Sequence, residues 1–380
     1  MGCGASTEKS SRTSPSMPMS GQHSGAAVLR ASGSSAELSV AFGAATLPHP
    51  QKDQDRFALR VHGGSTLLFG IFDGHSVHSV ESGRGHAEAA ARHCVTDLWG
   101  RTRKLVGRDG AFEVASPLSE AAVASFTAHQ AACEKRYERE VKAPVLRKKS
   151  QLEAEIGEEL PLELPQEGGT TATVGLVHPA GLLIAWVGDS RALLCRREAG
   201  YKVGPIAGTG LKTTSLTRDH NLDDQHERER LLRAGGKTMG RESGLKSVSV
   251  AGVEGSLKVT RSLGDSPFHK GDAVSATPSV AAQPLGDDAR FVVVASDGVW
   301  DHFSNERVAQ IVDGALTAHA RDSAERACAA ACAAVLDEIS LGQQNGDLKD
   351  HVDDKSIIVV QFDAEGERRR ATEASSLSQS

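Results

Sequence analysis

Aromatic residues, cysteine pairs and long apolar runs are all scarce in this chain of 380 residues. Phe, Trp and Tyr make up only 4% of the sequence, so its core must be built mainly from aliphatic side chains. None of the six cysteines belongs to a CxxC pair and no apolar signal segment opens the chain, so neither a disulfide framework nor a thiolate zinc site is expected. No run of about 18 apolar residues is present, so we expect no membrane-spanning helix.

An excess of positive charge is missing as well. Lys and Arg total 43 against 49 Asp and Glu, which gives a formal net charge of -6. Because non-specific binding to nucleic acid needs a basic face that displaces counterions, we expect no nucleic-acid partner. The composition is that of an ordinary globular protein, and we expect a monomer in the reducing environment of the cytoplasm.

The composition divides the chain into three parts. Residues 1–36 contain ten serines and few apolar residues, and residues 364–380 have a similar composition. Neither part can bury enough apolar surface to offset the entropy of ordering, so both are expected to be disordered. Residues 37–363 then form one globular domain, with a Glu-rich stretch over about 142–169 that we interpret as a surface insertion.

Four short apolar runs predict strands, because of their length, their β-branched residues and the Gly and Asp residues that flank them. These runs are Thr66–Phe72, Leu182–Val187, Phe291–Ala295 and Ser356–Val360. Helical patterns occupy about 85–98, 119–141, 225–234 and 305–339, the last with one break. Strands in bursts and helices in separate blocks predict an α+β layered domain.

Aspartates stand at the ends of these strands. Asp73, Asp189 and Asp297 directly follow the first three runs or come one residue later, and Asp353 and Asp354 precede the fourth. Asp-Gly at a strand end is also a common turn, but four recurrences in one chain weaken that interpretation. Converging carboxylates repel one another unless a cation neutralises them, and all-oxygen ligation favours Mg²⁺ or Mn²⁺ over zinc. The pattern therefore indicates a divalent-cation centre of the kind that supports attack on phosphorus.

Nine short motifs follow one another between about residues 38 and 362, and in order and spacing they resemble the type-2C, metal-dependent serine/threonine protein phosphatases. They are Asp53-Gln-Asp-Arg-Phe57, Phe72-Asp-Gly-His75, Gly168-Gly-Thr-Thr-Ala172, Gly188-Asp-Ser-Arg-Ala192, Leu216-Thr-Arg-Asp-His220, Ala234-Gly-Gly236, Leu257-Lys-Val-Thr-Arg-Ser-Leu-Gly-Asp265, Ala295-Ser-Asp-Gly-Val-Trp-Asp301 and Asp353-Asp-Lys-Ser356. The resemblance implies a central β-sandwich flanked by pairs of helices, with a binuclear Mn²⁺ or Mg²⁺ centre at one end.

The resemblance also implies roles for single residues. Asp73 would bridge the two metal ions, and the carbonyl oxygen of Gly74 would bind one of them. Asp297 and Asp354 match the carboxylates of one metal ion. Asp55 matches an acid that holds metal-bound water.

Further positions match the family's pattern less directly. Asp189 and Asp301 match residues associated in some members with a weaker third metal ion, and His75 matches the general acid that protonates the leaving oxygen. The arginine with which many members grip phosphate is replaced by Pro50. Lys52, two residues away, is our candidate for the phosphate-binding charge, although an ammonium group lacks the bidentate fork of Arg.

The function implied is hydrolysis of phosphoserine and phosphothreonine in proteins, by attack of a hydroxide that bridges two Mn²⁺ or Mg²⁺ ions. Two alternatives stay open. The loss of the usual arginine at Pro50 is compatible with a catalytically weak pseudophosphatase that only binds phosphoproteins. A two-metal phosphohydrolase acting on small molecules would use the same aspartates.

The first six residues, Met1-Gly2-Cys3-Gly4-Ala5-Ser6, match the N-myristoylation signal Met-Gly-x-x-x-Ser/Thr. A single myristoyl chain anchors a protein only marginally, whereas palmitate on Cys3 as well would hold it stably. We therefore expect part of the protein to be attached by lipid alone to a membrane surface that faces the cytosol.

Substitution of the acylation sites tests this anchor. Gly2→Ala should abolish both modifications and release the protein to the soluble fraction, because palmitoylation of Cys3 normally follows myristate-driven membrane contact. Cys3→Ser should leave one chain and give a mixed soluble and membrane pool. Fractionation of expressing cells measures both, and a Gly2→Ala protein that stays on membranes would contradict the prediction.

Overall fold

The computed structural model describes residues 21–30, 37–76, 79–108, 110–113, 115–162, 164–198, 210–240, 246–349 and 352–363. Its strands are β1 (Gln22–Arg30), β2 (Glu37–Leu47), β3 (Arg56–His62), β4 (Thr66–Phe72), β5 (Gly74–His75), β6 (Gly169–Thr170), β7 (Ala172–His178), β8 (Gly181–Val187), β9 (Arg191–Arg197), β10 (Leu211–Ser215), β11 (Lys237–Gly240), β12 (Lys246–Ser249), β13 (Leu263–Gly264), β14 (Ser279–Gln283), β15 (Ala289–Ala295) and β16 (Lys355–Phe362). Its α-helices are α1 (Val80–Thr102), α2 (Pro117–Tyr137), α3 (Ala143–Ile156), α4 (Gln225–Arg233), α5 (Asp297–Trp300), α6 (Asn305–Ala318) and α7 (Ala324–Asn345).

Two large antiparallel sheets form the centre of the domain. One has the strand order β1-β2-β16-β15-β9-β10 and the other the order β14-β8-β7-β4-β3. Side chains from both sheets meet in one buried aliphatic layer, where Val360 and Val292 of the first sheet belong to the same cluster as Leu67 and Ile184 of the second. Several central strands are buried along their whole length, which explains why they appear in the sequence as unbroken apolar runs.

Helices cover the outer face of each sheet. Small residues of α1, such as Ala87 and Ala90, pack with Leu68 of β4 and with α2. On the other side α7 packs on β2 and β16, with Cys328 and Cys332 as buried residues, and α6 packs on α7 and β10. The predicted α+β sandwich flanked by helix pairs is therefore confirmed.

Serine residues fix where four of these helices begin. The side-chain oxygens of Ser79, Ser116, Ser304 and Ser323 each accept a hydrogen bond from the backbone N–H three residues later. Such caps satisfy amide groups that a helix leaves unpaired at its first turn. At the other end of α7, Gly346 adopts the left-handed conformation that terminates a helix (φ 78°).

One expectation about chain organisation is corrected, and another is made more specific. Residues 22–30 do not belong to a disordered leader, because β1 pairs with β2 along its whole length. β1 is an edge strand that is ordered by its backbone hydrogen bonds to β2, and its Leu29 is buried in the layer between the two sheets. The stretch after Val141 also begins as helix, since a π-helical turn (Glu138–Lys142) joins α2 to α3 and carries the chain past Pro144.

The expectations of an N-terminal lipid anchor and a disordered C-terminal tail concern the two ends of the chain. Gly2, Cys3 and residues 364–380 lie outside the described residues, so lipidation and the disordered tail stay predictions. Across the described ranges, every helix is too short or too polar to cross a membrane.

The close approach of α7 to β2 gives a test of the packing. A Cβ atom added at Gly43 of β2 would lie 2.6 Å from the carbonyl carbon and oxygen of Cys328. Gly43→Ala should therefore lower the free energy of unfolding by about 1–3 kcal/mol, the usual cost of overpacking. Gly85→Ala is the matched control, since a Cβ there meets nothing within 4 Å and should stabilise α1 by about 0.5–1 kcal/mol. Urea unfolding measures both, and a Gly43→Ala protein as stable as the parent would contradict this packing.

Candidate metal centre and active site

The ends of central strands from both sheets bring acidic residues to one cavity. Asp73 follows β4, Asp189 follows β8, Asp297 opens α5 after β15, and Asp353 precedes β16. All four line a cavity of about 240 Å³, together with His75. The predicted convergence of carboxylates at the strand ends is therefore observed.

These carboxylates disturb one another strongly. Burial raises the pKa of Asp73 well above its usual value, and the charges of Asp55 and Asp297 raise it further. Burial together with the charges of Asp354 and Asp353 raises the pKa of Asp55 to about 8. Burial, Asp297 and Asp219 raise the pKa of Asp189 to about 8 as well. Each of these groups would be stabilised as a carboxylate by a cation placed among them.

The donor atoms fit divalent cations that prefer oxygen. Oδ1 of Asp55 and Oδ1 of Asp297 are both buried and have no hydrogen-bond partner in the described structure. Unpaired buried oxygens are costly unless they bind an ion or water. No group of three or more His, Cys, Asp or Glu side chains in the described ranges already has the compact arrangement of a formed metal site. Like charges without a counterion keep apart, so the residues present fit the metal ions by chemistry and by shared location.

The structure assigns different tasks to the two neighbouring aspartates before β16. Oδ1 of Asp354 accepts the backbone N–H groups of His49 (2.6 Å) and Asp53 (3.1 Å), and Oδ2 accepts those of Gln54 (2.5 Å) and Asp55 (3.1 Å). The side chain of Asp354 is thus fully used in holding the loop before β3.

Asp353 has the position that had been assigned to Asp354. Asp353 lines the cavity, and burial and the charge of Asp297 raise its pKa. The four backbone hydrogen bonds of Asp354 contradict the prediction that it is a metal ligand, and Asp353 is the one of the two carboxylates that lines the cavity. Both residues are acidic and adjacent, and only the backbone hydrogen bonds of the folded loop distinguish them.

Lys52 lies on the same cavity but is already engaged. Its ammonium nitrogen is 2.6 Å from Oδ1 of Asp353. Burial acts to lower the pKa of Lys52, but the attraction of Asp353, Asp73 and Asp297 outweighs it and raises the pKa. Its role in binding phosphate stays a prediction, and its pairing with Asp353 limits the charge it can offer.

His75 is held by a buried aspartate. Its Nε2 is 2.7 Å from Oδ2 of Asp265, whose side chain is completely buried and which also accepts a hydrogen bond from Ser262. Asp265 adopts a left-handed backbone conformation (φ 44°), which is uncommon for a residue other than glycine. Burial acts to lower the pKa of His75, yet Asp265 outweighs it and raises the pKa. His75 thus lies on the cavity with one ring nitrogen fixed from behind.

Asp265 was not predicted as a site residue. Arg261, four residues earlier in the chain, forms an ion pair and hydrogen bonds with Glu227. No spacing rule connects Asp265 to His75, which is 190 residues away.

The predicted third-metal residues also meet. Asp189, Asp301 and Asp297 line a second, adjoining cavity. Arg191 beside them donates two hydrogen bonds to Asp219 and packs 5.4 Å from the ring centroid of Trp300. Gly74 lies in β5 opposite Thr170, and ligation by its carbonyl oxygen stays a prediction.

Comparison with known proteins now identifies the family. A family model described as Protein phosphatase 2C matches residues 110–338, more than half of the chain. The chain belongs to the protein phosphatase 2C family. Asp55, Asp73, His75 and Asp353 lie outside the matched range, and the fold brings them to Asp189 and Asp297 within it.

Curated relatives and solved structures agree with this family. Probable protein phosphatase 2C 60 of Arabidopsis thaliana is 29% identical over 201 residues, which cover 51% of this chain and 48% of the relative. Probable protein phosphatase 1N of Mus musculus is 39% identical over 156 residues, covering 39% of this chain and 33% of that protein. The chain thus spans half the length, or less, of the curated relatives it matches.

The folds agree as well. The crystal structure of serine-threonine phosphatase 2C from Toxoplasma gondii superposes with a TM-score of 0.60 at 19% identity, covering 90% of this chain and all of that one. A Caenorhabditis elegans sex determining protein gives a TM-score of 0.55 at 21% identity, with 86% of this chain and 66% of that chain covered. At these identities the likeness supports the fold alone.

Substitution separates the two aspartates before β16. Asp353→Asn removes a charge that faces the cavity, so Mn²⁺ affinity should fall by about tenfold or more while the metal-free protein keeps its stability. Asp354→Ala leaves four backbone amides without their acceptor, so the free energy of unfolding should fall by about 3 kcal/mol or more. Calorimetric titration with Mn²⁺ and urea unfolding give the two quantities. Parent-like Mn²⁺ binding by Asp353→Asn would contradict the reassignment.

Proposed function

We propose that this protein is a metal-dependent protein serine/threonine phosphatase. The observation that carries the proposal is the meeting of Asp73, Asp297 and Asp353 with the His75–Asp265 pair on one cavity. Membership in the protein phosphatase 2C family supports the same activity. The proposed substrates are phosphoserine and phosphothreonine side chains of proteins, and we expect the protein to act as a monomer.

Two divalent cations, Mn²⁺ or Mg²⁺, are the proposed cofactors. Asp73, Asp297 and Asp353 would hold them, with Asp55 behind Asp73. When bound, such ions activate water for attack on phosphorus and neutralise charge on the phosphoryl group. Asp55 is fixed by the hydroxyl of Ser296, which donates to its Oδ2 at 2.9 Å.

His75 has the task of protonating the leaving oxygen. Asp265 accepts a hydrogen bond from Nε2–H and favours the imidazolium form of His75. Nδ1 is then the ring nitrogen that gives its proton to the serine or threonine oxygen. After this transfer His75 is neutral and takes a proton from water before the next turnover. Because Asp265 orients the ring, it acts as a positioning residue.

Hydrolysis of a phosphopeptide with Mn²⁺ and then with EDTA tests the activity. We expect turnover that depends fully on the metal ion, and Asp297→Asn should lose it by orders of magnitude with the fold retained. No turnover with any divalent metal would favour a pseudophosphatase, and a strong preference for nucleotides over phosphopeptides would favour a small-molecule phosphohydrolase.

The leaving group tests the role of His75. His75→Ala should slow hydrolysis of a phosphoserine peptide by about 10²–10⁴-fold, the usual contribution of general acid catalysis. It should slow p-nitrophenyl phosphate much less, because the phenolate leaves without a proton. Asp265→Asn should show the same selectivity to a smaller degree. Equal slowing of both substrates would point to a structural role for His75.

A further inference from the structure

Lys258 stands at a rigidly held place on the wall of the cavity. Its neighbours Leu257 and Val259 are both buried. The backbone of Leu257 exchanges two hydrogen bonds with Val248 of β12 (2.7 and 3.0 Å), and the N–H of Thr260 donates to the carbonyl oxygen of His220 (2.8 Å). Lys258 itself lies at a bend between these two buried residues, and its side chain is exposed. Lys258 accordingly lines both cavities of the site.

The charge of Lys258 is not used by a protein partner. Within the part of the chain that the structure describes, its ammonium group forms neither a hydrogen bond nor an ion pair within 4 Å. The other lysines on the cavity differ in this respect, since Lys52 pairs with Asp353 and Lys246 with Asp223, each at 2.6 Å.

The acidic residues of the cavity favour the charged form of Lys258 although none of them forms a hydrogen bond with it. Burial acts to lower the pKa of Lys258, but the more distant charges of Asp297, Asp353 and Asp189 outweigh this effect and raise the pKa. A cation that is fixed at its backbone, charged and unpaired in a cavity that also holds His75 is suited to bind an anion there.

We propose that Lys258 binds the phosphoryl oxygens of the substrate and is the main phosphate-binding cation that this chain supplies. The proposal rests on the proposed phosphatase function and adds to it the residue that grips the phosphoryl group. Lys258 contacts the non-bridging oxygens from the side of the cavity formed by residues 246–260, whereas Lys52 stays with Asp353. Removing the charge of Lys258 therefore weakens binding of substrate and of the product, inorganic phosphate.

Three variants of the full chain test this. Lys258→Met keeps the length of the side chain and removes the charge, Lys258→Arg keeps the charge, and Lys246→Met is the matched control that removes an equal charge already paired with Asp223. Two quantities are measured: the Kd of inorganic phosphate by calorimetry in saturating Mn²⁺, and the KM and kcat for a phosphopeptide. Mn²⁺ affinity is measured in parallel.

Lys258→Met should raise the Kd of phosphate and the KM by about 10- to 100-fold, the usual range for a hydrogen bond to a charged group. Lys258→Arg should stay close to the parent, and Lys246→Met should change either value by less than about threefold. Mn²⁺ affinity of Lys258→Met should be unchanged or higher, because a positive charge near the ligands has been removed.

Other results overturn the inference. If Lys258 merely neutralises Asp189 and Asp297, Lys258→Met will bind phosphate like the parent while binding Mn²⁺ more tightly. If Lys258 supports the fold of the site, Lys258→Met will lose Mn²⁺ affinity. If the proposed phosphatase function is wrong, the parent protein will hydrolyse no phosphopeptide. The titration with inorganic phosphate still tests the role of Lys258 in that case.

Discussion

The repulsion between carboxylates that share one poorly solvated cavity is the constraint on which this structure depends. Charges of like sign raise one another's pKa, and burial adds to the effect. A protein that places such groups together for packing alone would lose stability without gain. Their arrangement is explained if divalent cations complete the site, because the same burial that disfavours bare carboxylates strengthens their attraction for a cation.

The surrounding structure holds these groups in place against their repulsion. Asp354 gathers four backbone amides and so ties the loop before β3 to the start of β16. Ser296 connects the same regions, since its hydroxyl donates to Asp55 and accepts from the amide of Ser356. Gly298 allows the close approach of α5, because a Cβ there would lie 2.1 Å from the carbonyl oxygen of Asp354. The cavity is thus formed by strands of both sheets, and neither sheet alone contains the site.

Sequence patterns predicted the buried central strands and the acidic residues that lie next to them in the chain. Apolar runs marked β4, β8, β15 and β16 because these strands are buried on both faces, and the aspartates beside them marked the site. The edge strand β1 was not predicted, since its short apolar segment lies within a Ser-rich stretch and its order comes from pairing with β2.

Residue roles that depend on tertiary hydrogen bonds could not be predicted from the sequence either. The choice between Asp353 and Asp354 depends on which carboxylate the loop amides reach, and the partnership of His75 with Asp265 joins distant parts of the chain. The role proposed for Lys258 depends on the fold in the same way, because only the folded chain brings its segment to the wall of the cavity.

A crystal structure of the protein grown with Mn²⁺, with the metal ions located by their anomalous scattering, would show which carboxylates bind them. We expect anomalous peaks among the carboxylates of Asp73, Asp297 and Asp353, with Asp354 still bound to the backbone amides of residues 49–55. Peaks coordinated by Asp354 in place of Asp353, or no metal ion at this end of the sandwich, would contradict it.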